Sequence, residues 1–373
     1  MSEIQLPLSL PRDLQIHTMQ ANTPEWYKFR ERGIGGSEVG YIMGLSPYKC
    51  SMEVFQEKIG EVEPFSDDNE ASFHGKYFEN YLRKIWKYYD GSKIGYIKNQ
   101  QARKVAREYL EVSSYVVNPK YPWLFASVDG LINAGQFTLL PGAPILEKPG
   151  ILEVKTISSM YARLWEEGIP PQYLTQVHQY MLIMEVDYAE IILLKDGRYI
   201  DVMPIERNEK MCQAIIDVTK EFWYNSVVPA QECKVKATEA EKNDRFDLAE
   251  QYVAKIQMLE PEPDSSEAYK NFMANKQLFD PIEKEGTQDD LFDLIAYKKW
   301  HEVGKIAKSN KTLYENKVRK RMSDVNADKL DLDESGYVSL TTKKGSTKTV
   351  FNNRIKIKLD IDAIKEKIEN VNL

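Results

Sequence analysis

The chain has 373 residues, of which 42% are hydrophobic, 29% charged and 11% aromatic, with a formal net charge of −7. This is the profile of an ordinary globular protein large enough for one big domain with an appendage, or for two domains. No apolar run approaches the ~18 residues of a membrane span, and the start Met1-Ser2-Glu3-Ile4-Gln5 lacks a signal-peptide pattern, so the cytoplasm is the expected home. Cys50, Cys212 and Cys233 are too few and too scattered for a disulfide framework, a paired-thiol zinc site or a four-thiolate iron–sulfur cluster. The acidic sum does not exclude nucleic acid, because phosphate binding needs only a local basic surface.

Along the chain, residues 1–22 read as an extended lead-in. Thr23-Pro24-Glu25 marks a helix start, with a hydroxyl N-cap, a proline in the first turn and an acid at the positive dipole end. That helix carries Trp26, Phe29 and Arg30 and breaks at Gly33; the glycine turn Gly33 to Glu38 follows, with Ser37 as the expected N-cap of a next helix. A helix is predicted from Ser51 to Ile59, stopped by Gly60, and a longer one from about Asn69 to Asp90, with Phe73, Tyr77, Tyr81, Ile85 and Tyr88 at helical spacing. After Gly91 the texture turns β-prone: Ile94 to Ile97, Tyr115 to Val117, Leu124 to Val128 and Gly150 to Thr156 read as short strands. A helix from Gln172 to Glu185 precedes the apolar strand Ala189 to Leu194, a turn at Asp196-Gly197, a strand Arg198 to Pro204 and a helix Asn208 to Asn225. The fold class expected for residues 1–230 is therefore α/β, a central sheet flanked by helices. Residues 231–373 read as a separate extension: a charged helix over 236–260, a break at Glu260 to Asp264, a long helix over 289–322 and a β-hairpin over Gly336 to Phe351, turning at Lys344-Gly345. This is a helical hairpin with a small β-rich tail.

The chemistry concentrates in Ser127-Val128-Asp129-Gly130-Leu131 and, twenty-odd residues on, Ile151-Leu152-Glu153-Val154-Lys155-Thr156. Alternate side chains of a strand share a face, so Glu153 and Lys155 project together while Val154 points into the core. Asp129, before a glycine, can aim its carboxylate at the same point. Two converging carboxylates repel unless a hard cation such as Mg²⁺ sits between them. Such an ion would polarise a phosphate and acidify a water, with the Lys155 ammonium orienting that water or neutralising developing charge. A Glu-x-Lys pair is more often a solvated cross-strand pair. What sets this one apart is the apolar flank Ile151-Leu152 and the Asp-Gly turn upstream.

Asp followed by Glu-x-Lys resembles the PD-(D/E)xK nuclease superfamily. The wider set resembles, more narrowly, the lambda-exonuclease and YqaJ-type viral recombinase nucleases. Its motifs occur in order: Trp26-Tyr27-Lys28-Phe29-Arg30, Gly33 to Glu38, Leu45-Ser46-Pro47-Tyr48, Gly75-Lys76-Tyr77-Phe78-Glu79, Asp129-Gly130, Glu153-Val154-Lys155 and Gln176-Val177-His178-Gln179-Tyr180. They span roughly residues 24 to 185.

The resemblance implies a restriction-endonuclease-like core with a mixed sheet. It also implies a metal site built from Asp129, Glu153, the Val154 backbone carbonyl and Glu79, and a catalytic lysine, Lys155. Gln176 becomes a polar member of the same centre, while Arg30 and Ser37 form the pocket for a 5′-terminal phosphate. Mg²⁺ is the implied cofactor, with Mn²⁺ able to substitute. The implied activity is 5′→3′ digestion of one strand from double-stranded DNA ends, in phage-type recombination with a single-strand-annealing partner protein and with a homo-oligomer possible. Residue by residue, plainer readings exist: Glu79 as a surface helix acid, Arg30 as the ion-pair partner of Glu31 or Glu38, His178 as a core histidine. Trp123 could pack or contact a base.

Residues 231–373 have no counterpart in the smallest family members. Their basic residues, Lys298, Lys299, Lys305, Lys308, Lys311, Lys317, Arg319, Lys320 and Arg321 with Lys343, Lys344 and Lys348, are ordinarily a solvated face, with a DNA-tracking or partner-docking arm as the alternative. Two other functions compete: a structure-specific or restriction-like endonuclease on the same core, and a non-catalytic DNA-binding or phage–host interaction protein.

Overall fold

The computed structural model describes residues 6–7, 9–19, 23–62, 70–112, 114–142, 145–166, 168–275, 285–324, 327–331, 336–342 and 349–355. The chain divides into two compact units, 1–277 and 278–373. In the first, a five-stranded sheet runs in the order β3 (Tyr109–Leu110), β6 (Gly130–Ile132), β7 (Gly150–Ile157), β8 (Tyr188–Lys195), β9 (Tyr199–Glu206). Its pairs are antiparallel except β7 and β8, which run parallel. A four-stranded sheet has the order β1 (Gln15–His17), β4 (Tyr115–Val117), β5 (Leu124–Ala126), β2 (Ile34–Gly35), and only β2 and β5 are parallel. Both sheets are mixed and flanked by helices, the α/β arrangement of a restriction-endonuclease-like core.

A parallel pair needs a crossover, and here it is α7 (Pro171–Met184) between β7 and β8. This helix is buried along nearly its whole length, against α2 (Gly36–Ile42), β5, β7 and α8 (Glu209–Glu221). It ends at Glu185, which takes a left-handed conformation with φ of 53°. The side chain of Gln179 on α7 donates from Nε2 to the carbonyls of Ile34 and Phe125, both at 3.0 Å, and so ties the β2–β5 pair to the helix. On the far side of the large sheet lies α4 (Glu70–Trp86), which buries Leu82, Ile85 and Trp86 with Leu152 and Val154 of β7. Ile151 of β7 belongs to the main core with Val177 and Tyr180 of α7. Odd and even positions of β7 therefore serve different clusters, as strand geometry requires.

One buried ion pair staples this sheet from a distance in sequence. Arg107 donates to Glu190 of β8 at 2.5 and 2.7 Å, both side chains being fully buried, and Trp86 Nε1 donates to the same carboxylate at 2.7 Å. Tyr188 also donates to it.

Several local expectations change. Residues 94–97, read as a strand, lie in the helix α5 (Lys93–Gln101), because the Ser92 hydroxyl caps it by accepting from Gly95 N at 2.9 Å. The N-cap of α2 is Gly35, not Ser37, and Glu38 satisfies the open end by accepting from Gly35 N at 2.7 Å. Of the aromatic and aliphatic residues read at helical spacing, Phe73, Tyr77 and Tyr81 are exposed, and the buried face of α4 is Leu82, Ile85 and Trp86. Trp123 is buried and donates to Thr219 Oγ1 at 3.0 Å, so it packs the core rather than facing a base.

The expected boundary at 230/231 falls inside the helix α9 (Val228–Lys242), which continues from α8 through a π-helical stretch Phe222–Val227. Ala230, Ala237 and Ala240 of α9 are buried, Gln231 donates to the carbonyls of Glu31 and Lys58, and α10 (Phe246–Gln257) packs back along it as a helical hairpin. A short helix, α11 (Glu267–Asn275), follows. The second unit contains the 37-residue helix α12 (Gln288–Asp324) and an antiparallel sheet of β10 (Lys329–Asp331), β11 (Gly336–Thr342) and β12 (Thr349–Ile355). The turn at Lys344-Gly345, and with it Lys343 and Lys348, lies outside the described residues. No helix among the described residues is long and apolar enough to cross a membrane.

Candidate active site

The C-terminal half of β7 borders a cavity of about 600 Å³ whose lining includes Arg30, Ser37, Glu79, Asp129, Glu153, Val154, Lys155 and Gln176. Every site residue expected from sequence therefore reaches one pocket. Strand alternation places Glu153 and Lys155 together: Lys155 Nζ donates to Glu153 Oε1 at 2.7 Å. From α7, Gln176 Nε2 donates to the same oxygen at 2.8 Å and also to the Tyr180 hydroxyl at 3.0 Å. Glu153 is buried, and its other oxygen, Oε2, has no hydrogen-bond partner. Asp129 sits just before β6, where its Oδ2 accepts from the Val154 backbone N–H at 2.7 Å. The loop carrying Asp129 is thereby pinned to the strand carrying Glu153. Gly130 also has a spatial reason, since a Cβ there would stand 2.9 Å from the Tyr109 ring.

The electrostatics follow from burying acids side by side. Burial pushes the Glu153 carboxyl up, the neighbouring Asp129 charge adds to it, and the group reaches about 8 despite Lys155. Burial likewise raises Asp129, against the opposing pull of Lys155 and the Val154 N–H. The Lys155 ammonium is held above its ordinary range, since the Glu153 and Asp129 charges outweigh its own burial. Glu79 is raised to about 7, by burial and then by Asp129.

Glu79 reaches the cavity from a different element. It comes from α4, on the opposite face of β7 from α7, and pairs with Arg83 at 3.4 Å. Arg83 in turn donates to the Asp129 carbonyl at 2.9 Å. Among the described residues no three His, Cys, Asp or Glu side chains form a ready ligand set for a metal ion. The donor chemistry nevertheless fits a hard cation. A buried carboxylate oxygen without a donor is costly, a second raised carboxyl lies beside it, and a cation would relieve both.

Also bordering the cavity, Arg30 of α1 (Pro24–Arg30) donates to Glu38 Oε1 at 2.5 Å and lies over the Trp26 ring at 4.9 Å. Glu38 is buried and also takes Lys58 Nζ at 2.8 Å, so these two cations overcome its burial and hold it at about 2. Arg30 is thus paired with Glu38, as one sequence reading had it, and still borders the cavity beside Ser37. A Cβ at Gly36 would overlap the Tyr180 ring, which explains a glycine there. His178 is a core residue, its Nδ1 at 2.7 Å from the Leu174 carbonyl.

The sequence reading gave no role in the site to Arg83, Tyr173 or Lys58, and named Tyr180 only as a motif residue. Helical spacing would have joined two of them to the site: Arg83 is four residues after Glu79, and Tyr180 four after Gln176.

Residues 25–187 match the YqaJ-like viral recombinase domain. The uncharacterized protein YqaJ of Bacillus subtilis (strain 168) is 27% identical over 234 residues, which is 62% of this chain and 62% of that protein. Among solved structures, the alkaline exonuclease LHK-Exo from Laribacter hongkongensis is 16% identical, with 60% of this chain and 99% of that one covered at a TM-score of 0.40. A phage related exonuclease from Haemophilus somnus 129PT is 12% identical, with 52% and 95% covered at a TM-score of 0.32. Over residues 25–187, less than half of its length, the chain is similar to the YqaJ-like viral recombinase domain.

Proposed function

We propose that the protein is a Mg²⁺-dependent nuclease that digests one strand of double-stranded DNA in the 5′→3′ direction from an end. The observation that carries this reading is the buried Glu153 carboxylate, fixed through one oxygen by Lys155 and Gln176, with its second oxygen unpartnered beside Asp129. Asp129, Glu153 and the Val154 carbonyl, joined by Glu79, would hold Mg²⁺, or Mn²⁺ in its place. Such an ion polarises a phosphodiester and lowers the pKa of water at the site.

The chain's own residues do the rest. Lys155 places an ammonium where negative charge develops on the phosphate, and Gln176 fixes the orientation of the carboxylate next to it. Water is the nucleophile, in line with the departing 3′ oxygen. Arg30 and Ser37 receive a terminal 5′ phosphate, a guanidinium and a hydroxyl in the first turn of α2 being suited to that anion. Digestion would leave a 3′ overhang for a single-strand-annealing partner, and residues beyond 230, with the basic α12, would serve as a tracking or docking arm.

The test is digestion of linear duplex with Mg²⁺ or with EDTA by wild type and Glu153→Ala. Digestion only by wild type, and only with Mg²⁺, is expected. A folded Glu153→Ala that still digests DNA overturns the assignment.

A further inference from the structure

Arg30 by itself would be a poor anion site, because it is already paired. Its Nη2 donates to Glu38 Oε1 at 2.5 Å, and an arginine neutralised by a carboxylate has little net attraction for a phosphate. The same cavity holds Glu79, Asp129 and Glu153, whose negative charges oppose an anion further. A third group changes the sum. Lys58, the last residue of α3 (Ser51–Lys58), reaches Glu38 with its Nζ 2.8 Å from Oε2, the oxygen that Arg30 leaves free. The Lys58 and Glu38 side chains are both 3% exposed, against 24% for Arg30.

The cluster therefore holds two cations and one anion, and of the three only Arg30 borders the cavity. Glu57, the next acid that Arg30 feels, has its own cation in Lys49. Lys58 Nζ also donates to the Arg30 carbonyl at 2.6 Å, at the open C-terminal end of α1. Glu38 Oε2 accepts in addition from the Gly35 N–H at 2.7 Å. These bonds fix the carboxylate between its two cations. Arg30 spends one N–H on Glu38, and a guanidinium has five. Burial draws the Lys58 ammonium below its ordinary range while the Glu38 charge opposes that. A cation so deeply buried is costly unless it is paired, and its pairing here frees the charge of another.

We propose that Lys58 is a positioning residue for the 5′-phosphate subsite: it carries the counter-charge of Glu38 inside the core and so leaves the Arg30 charge uncompensated toward the cavity. The inference rests on the reading that Arg30 receives the terminal phosphate, and it supplies the reason why a paired arginine can do so. Neither Lys58 nor Glu38 is among the described residues lining the cavity, so both act through Arg30.

The experiment measures by anisotropy, in EDTA, the binding of a fluorescent linear duplex with 5′-phosphate ends and of the same duplex with 5′-hydroxyl ends. The ratio of the two affinities is the readout, so a change in general DNA binding cancels. The proteins are wild type, Arg30→Ala, Lys58→Met, and Lys58→Met combined with Glu38→Gln. Wild type is expected to prefer phosphate ends, and Lys58→Met to lower that preference about tenfold. The double variant removes both buried charges and should regain the preference, although it has lost more native contacts than the single one. A lysine that merely props up the fold predicts the reverse order. Undiminished preference in Lys58→Met, or no recovery in the double variant, would overturn the proposal. Lys58→Gln takes the place of Lys58→Met if circular dichroism shows the latter unfolded. A wild type without preference, or Arg30→Ala with the wild-type preference, removes the phosphate reading and the proposal with it. Preference lost in Arg30→Ala but kept in Lys58→Met removes the proposal alone.

Discussion

Glu153 makes a prediction that can be worked through without any substrate. In the folded chain its carboxyl is pushed to about 8, against an ordinary 4.5 in the unfolded chain. Below pH 4.5 both states hold the proton and the group has no effect on stability relative to its neutral form. As pH rises from there, the unfolded state releases its proton while the folded state keeps it. Stability therefore falls, by about 1.4 kcal/mol per pH unit, and the loss is complete above about pH 8 at roughly 5 kcal/mol. Glu153→Gln has no proton to lose. Its amide oxygen can still accept from Lys155 and Gln176, and its NH₂ takes the place of the oxygen that now lacks a donor. Urea denaturation in EDTA should find the variant level with wild type near pH 4.5 and more stable by about 3–5 kcal/mol at pH 8.5. Adding Mg²⁺ should narrow that gap, because a cation that binds the ionised carboxylates stabilises only wild type. Equal stabilities at pH 8.5, or a gap independent of pH, would refute the electrostatic account of the site.

Other residues give sharper or simpler outcomes. Lys155→Ala should abolish digestion while circular dichroism stays that of the wild type; retained digestion would remove the lysine from the reaction. Arg30→Ala should slow digestion of 5′-phosphorylated ends far more than of 5′-hydroxyl ends, and equal rates on both would refute a phosphate-binding role. Glu190→Ala leaves the fully buried Arg107 without its counter-charge, and should cost about 3–5 kcal/mol in denaturant titrations; a loss under ~1 kcal/mol would show that the pair does not hold the sheet.

The core of the site was readable because its signals are local and periodic. Alternation along Gly150 to Thr156 put Glu153 and Lys155 on one face, whereas Gln176 and Glu79 were tied to that face only by the resemblance of their motifs. What escaped was set by contacts distant in sequence or by competing local chemistry. Arg107 and Glu190 are 83 residues apart, and nothing near either foretells the other. The segment Ile94 to Ile97 carries β-prone side chains, but the Ser92 cap outweighs so short a preference. Ser37 looked like a cap because of its residue type, whereas Glu38, drawn in by Lys58 and Arg30, does that work from within the helix. The exposed rings of Tyr77 and Tyr81 show that aromatic spacing alone did not tell which face of α4 turns inward.

The central claim is an end-dependent, metal-dependent nuclease. One digestion series tests it most directly: a linear duplex with 5′-phosphate ends, the same duplex with 5′-hydroxyl ends, and a closed circle of the same sequence, each with Mg²⁺ and with EDTA. The account predicts loss of the 5′-ended strand from the linear molecules, fastest from the phosphorylated ends, only with Mg²⁺, and an intact circle. Cutting of the circle at the rate of the linear DNA, or no Mg²⁺-dependent digestion of any substrate, would contradict it.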